Sequence, residues 1–97
     1  MIKLFVDDIR TPPSGDWVVC RTYSEAIHWL EHHTIDVISL DHDLGEEKTG
    51  YDVVCWIEKM VYTEKYFPPK ILVHSANPVG RDNILNCVRA IKKYLSL

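Results

Sequence analysis

Three short apolar runs in this chain end on the same kind of polar residue. Leu4-Phe5-Val6 stops at Asp7-Asp8, Val37-Ile38-Ser39-Leu40 at Asp41-His42-Asp43, and Ile71-Leu72-Val73 at His74-Ser75-Ala76-Asn77. Runs this short are too brief for packed helices and read as strands buried on both faces. Strands alternating with helical segments give an α/β fold with a parallel sheet, and right-handed crossovers place helices on its faces. Ligands of such open sheets bind outside the carboxyl ends of the strands. All three polar endings fall there.

In chain order, Trp17 to Cys20 is a further strand, with Arg21 and Thr22 at its carboxyl end. Ser24 is the expected N-cap of a first helix, which turns Ile27 and Leu30 inward and ends near His32-His33. Tyr51 to Val61 and Arg81 to Leu95 carry apolar residues at helical spacing, the latter with Lys92 and Lys93 in its last turns, the end that favours cations. Between the first two strands, Ile9 to Asp16 holds Pro12-Pro13 and Gly15 and reads as an ordered loop. The 97 residues make a single domain, 1–97. The expectation is a compact three-layer α/β domain with a parallel sheet of about four strands.

Composition removes some function classes. A net charge of −3 gives no basic footprint for bulk DNA binding. Cys20, Cys55 and Cys87 are odd in number, widely spaced and set in apolar runs, which points to reduced core thiols and a cytoplasmic protein. No CxxC pair suggests zinc, no stretch approaches a membrane span, and the apolar start is too short for a signal segment.

Asp7, Asp8 and Asp41 bring hard oxygen ligands from two strands to one edge. Carboxylates crowded together repel unless a cation or protons compensate, and Mg²⁺ suits such a set because it also bridges to phosphate. Taken alone, Asp7-Asp8 would fit a strand cap that begins a turn; the coincidence with Asp41 favours the metal. His42 and His74, at the ends of two strands, are the side chains best able to exchange protons near neutral pH. Ser75 and Asn77 are candidate hydrogen-bond donors to phosphate, and Arg10 and Arg21 candidate charge clamps. Arg21 has a competing role in pairing with Asp36 or Glu25. Arg81, at a helix start, is a weaker phosphate candidate.

These residues resemble a receiver domain, the phosphoacceptor module of two-component signalling. The resemblance assigns Asp7-Asp8 to the metal-binding acids, Asp41 to the phosphorylated position, Ser75 to the hydroxyl residue ending strand four, and the backbone carbonyl of Asp43 to a further metal ligand. The resemblance implies a flavodoxin-like sheet in the order 2-1-3-4, from which the chain departs in lacking the first helix, the fifth strand and the active-site lysine of an ordinary receiver. Phe5-Val6-Asp7-Asp8-Ile9-Arg10-Thr11-Pro12-Pro13, Ile38 to Gly45, Thr49-Gly50-Tyr51-Asp52 and Val73 to Gly80 more closely resemble the cyclic-phosphate processing receiver domain, a divergent branch.

That resemblance implies a metal-dependent phosphoesterase acting on the cyclic phosphate of a nucleotide or RNA end. Asp7, Asp8, Asp41 and Asp43 would hold Mg²⁺, while Asp41, His42 and His74 would be catalytic. The alternative is a non-catalytic signalling or interaction module, phosphorylated on Asp41. Either leaves a sheet edge beside strand four for a homodimer or a partner protein.

Overall fold

A computed structural model describes residues 1–13 and 15–96. Ser14 of the turn-rich loop, and Leu97, the last position of the expected domain 1–97, lie outside the described residues. Strands β1 (Lys3–Val6), β2 (Trp17–Cys20), β3 (Val37–Leu40) and β4 (Lys70–Val73) form one sheet in the order β2-β1-β3-β4, parallel throughout. Helices α1 (Tyr23–His32), α2 (Gly50–Glu64) and α3 (Pro78–Leu95) follow β2, β3 and β4. The α/β class, the strand order and the missing helix after β1 are as the sequence predicts.

The third layer is not. The steps from β2 to β3 and from β3 to β4 run in the same direction across the sheet, so right-handed crossovers put α1 and α2 on one face. Helix α3 packs beside α2. A single core joins all three helices to alternate strand residues: Leu4 and Val6, Ile38 and Leu40, and Cys20. The step from β1 to β2 runs the other way and would need a helix on the opposite face, but the proline-containing loop makes that step. The opposite face, carrying Lys3, Phe5, Trp17, Val19, Ser39 and Leu72, has no helical cover among the described residues. Leu72 is exposed, and Trp17 and His74 lie against the buried Phe5. The domain is two layers deep.

Caps bring two helix starts to the carboxyl edge of the sheet. Thr49 and Asp52 form a reciprocal capping box at α2, with Asp52 taking the N-cap amide at 2.8 Å. At α3, Asn77 is the N-cap and accepts from the Gly80 amide at 3.0 Å, with Pro78 in the first turn, so the helix begins earlier than Arg81. Thr22, not Ser24, caps α1, because its hydroxyl is the one that reaches the Glu25 amide. Among the described residues no helix is long and apolar enough to cross a membrane.

Candidate metal centre

Backbone pairing carries β1, β3 and β4 one residue beyond their last regular partners. The Asp7 amide donates to the Cys20 carbonyl, Asp41 to Val6, and His74 to Leu40. Asp7, Asp41 and His74 therefore stand in a row across three strands. By strand alternation they share the helix-free face with Phe5 and Ser39. Oxygens of Asp7, Asp8 and Asp41 lie within 4.8 Å of one another, with Asp7 and Asp41 buried and Asp8 half-buried.

Asp7 is the fixed member. Its Oδ1 accepts the Ile9 and Arg10 amides at 3.0 and 2.8 Å, and its Oδ2 meets His74 Nε2 at 3.0 Å and Arg10 Nε at 4.0 Å. Burial alone would raise its pKa, but the amides of Arg10 and Ile9 and the His74 ring outweigh burial and hold it below the ordinary value of 3.8. A carboxylate with a depressed folded pKa adds stability above its unfolded pKa, and that stability is lost as pH falls through the folded one. Metal-free protein should accordingly weaken from about pH 5 downward. In Asp7→Asn the part of that loss due to Asp7 should disappear. Urea midpoints across the acid range check this.

The carboxylates of Asp8 and Asp41 accept no hydrogen bond from the described residues, so no protein hydrogen-bond donor offsets their proximity to Asp7. Gly45, at φ +67°, presses its Cα against Asp8: a Cβ there would lie 2.8 Å from Oδ2. Three hard oxygens, two of them free of protein donors, are a set that fits Mg²⁺. The Asp43 side chain is not part of it. Its Oδ1 pairs with His42 Nδ1 at 3.1 Å and its Oδ2 accepts from Asn77 Nδ2 at 3.4 Å, leaving the backbone carbonyl as its remaining donor.

The two imidazoles do not converge. His74 is engaged at both nitrogens, by Asp7 and by Ser39 Oγ at 2.7 Å, and its ring stacks on Phe5 with centroids 4.3 Å apart. His42 lies on the helix side, packed against Gly80 at the start of α3 so closely that a Cβ there would meet its ring at 2.3 Å. Only its Nδ1 is engaged, by Asp43. Arg21 pairs with neither Asp36, which accepts the Ile2 amide instead, nor the Glu25 carboxylate by its guanidinium; that group donates to the carbonyls of Asp7 and Arg10 and ties the β1–β2 loop to β2. Arg10 reaches across to the His74 carbonyl at 2.9 Å with its side chain 49% exposed, so part of its guanidinium stays open beside the acids. Ser75 Oγ accepts the Asn77 amide at 3.0 Å, and Arg81 donates to the Val73 carbonyl at 3.3 Å.

A family model described as the cyclic-phosphate processing receiver domain matches residues 2–90. The chain belongs to that family. No curated protein matches it significantly. In this cyclic-phosphate processing receiver domain, the residue that sequence reasoning passed over is Ser39. Its signal was a hydroxyl inside an apolar run at the same parity as Asp41, which puts both on one face. The thiols stay outside the chemistry: burial pushes Cys20 and Cys87 up to about 12.

Proposed function

We propose that this domain is a Mg²⁺-dependent phosphoesterase that opens a cyclic phosphate on a nucleotide or an RNA end. The observation that carries the proposal is the cluster of buried Asp7 and Asp41 with half-buried Asp8 at the carboxyl ends of the strands, two of its carboxylates accepting no hydrogen bond from the described residues. Family membership supports the substrate class. When bound, the metal would polarise the phosphoryl oxygens. Asp7, Asp8 and Asp41 would hold it, with the Asp43 carbonyl as a further donor.

Hydrolysis adds a water oxygen to phosphorus and breaks one ester P–O bond; the water gives up a proton and the leaving ring oxygen takes one. His42 is suited to carry that proton. Asp43 engages its Nδ1, which leaves Nε2 without a partner among the described residues. His74, bound at both nitrogens, acts instead as a positioning residue that holds Asp7 in place. Arg10, Ser75 and Asn77 are the groups available to the phosphate. Arg21 serves by fixing the loop that presents Asp8.

Incubation with 2′,3′-cyclic nucleotides and Mg²⁺, followed by chromatography, tests the reading. Ring-opened monophosphate is the expected product, and saturable binding without product would instead make the domain a sensor. His42→Ala should lower kcat by about 10²-fold or more while leaving stabilisation by Mg²⁺ intact. His74→Ala should weaken that stabilisation as well. Identical behaviour of the two variants would remove the division of roles.

A further inference from the structure

Strand β4 is an edge of the sheet, and it is bordered by a groove. The amides of Lys70 and His74 turn inward to β3, onto the Asp36 and Leu40 carbonyls. By alternation, the backbone groups of Ile71 and Val73 point outward. The Val73 carbonyl is taken by Arg81, which leaves both polar groups of Ile71 and the amide of Val73 without a ladder partner. Beside this edge a cavity of about 430 Å³ runs between β4 and α3. Ile71, Val88, Ile91 and Leu95 give it apolar walls, and among the described residues Lys70 and Lys92 are the charged ones lining it. Phe67, 87% exposed, stands at its mouth.

The signs of these charges select an occupant. On a chain of net charge −3 this groove carries positive charge among its described lining residues, so the same groove of a second copy, related by a two-fold axis, offers it no opposite charge. A carboxylate-bearing partner meets them with the opposite sign. Unpaired strand groups beside an apolar channel are the requirements for strand addition: backbone bonds supply affinity and alternate side chains fill the pockets.

We infer that β4 takes up, as an added fifth strand, an extended segment of another polypeptide whose alternate residues are apolar and whose flanks are acidic. Its apolar side chains enter the groove over Val88 and Ile91, and its carboxylates meet Lys70 and Lys92. This surface lies on the outer edge of the sheet and does not depend on the metal centre.

Panning a phage-displayed library of random peptides of ~8 residues, slightly longer than a typical strand, against the full chain tests the inference. The expected enrichment is for alternating apolar residues with Asp or Glu at the flanks. Chemically synthesised winners should bind the Lys70→Glu/Lys92→Glu variant at least ~10-fold more weakly, a difference of about 1.4 kcal/mol, and should lose binding when a central residue becomes proline. Both lysines are exposed, and unchanged circular dichroism and melting would show that the variant folds. No enrichment, equal binding to the variant, or tolerance of the central proline would overturn the inference. Concentration-dependent dimerisation abolished by Leu95→Asp would do so too, by showing that a second copy fills the groove.

Discussion

Asp41→Asn is expected to raise the melting temperature of the metal-free domain while abolishing both its response to Mg²⁺ and its turnover. Asp41 is 8% exposed, its carboxylate accepts no hydrogen bond from the described residues, and two other carboxylates lie within 4.8 Å. Even at the dielectric of water, each neighbouring charge at that distance costs about 1 kcal/mol. Replacing the charge with an isosteric amide removes that repulsion and no existing bond, so a rise of roughly 4 °C or more is anticipated. Wild-type protein should gain about 2.7 kcal/mol when Mg²⁺ reaches a hundred times its Kd, and the variant should gain almost none. Turnover should fall by ~10²-fold or more. Thermal melts with and without Mg²⁺, beside the cyclic-nucleotide assay, decide the matter. A metal-free variant that melts below wild type would show that the acids are not held against their mutual repulsion.

Gly50→Ala should be the most damaging single methyl in the chain. Gly50 opens α2, its amide bonds the His42 carbonyl at 2.8 Å, and a Cβ on it would fall 2.0 Å from the Asp41 carbonyl oxygen. Backbone lies on both sides of that contact, so no side chain can swing away. Either α2 lifts from the sheet or the end of β3 moves, at a cost of about 3 kcal/mol or more against a total of about 5–15 kcal/mol for a domain of this size. The displaced residue is Asp41, so Mg²⁺ affinity should fall with stability. Urea unfolding paired with Mg²⁺ titration reads both. The contrast is Gly80→Ala, where the obstructing group is the His42 ring. That ring can rotate out of the way, so turnover should suffer more than stability.

What could be read in advance follows from what each signal depends on. Strand runs ending in acids are local facts of sequence, and chain connectivity then dictates their common edge, so the parallel sheet and the acid cluster were legible. The number of layers was not, because an apolar run does not reveal what covers each face. Phe5 lies against Trp17 and His74, and no period in its neighbourhood announces two aromatic rings from distant strands. The two histidines looked equivalent because both follow a strand; only three-dimensional packing gives His74 two partners and His42 one. The arginines illustrate the same limit. Arg21 was placed at a carboxyl strand end, but its guanidinium spends its donors on the carbonyls of Asp7 and Arg10, which no spacing rule anticipates.

The one-sided covering of the sheet also separates inheritance from invention. Along β1 and β3, neighbouring residues serve different masters: Val6 and Leu40 face the helices and build the core, while Asp7 and Asp41 face away from them. A change in the second set leaves the first untouched. A lineage built on this scaffold can therefore try new chemistry at alternate positions of the same strands, with the burial that folds the domain carried by the residues in between.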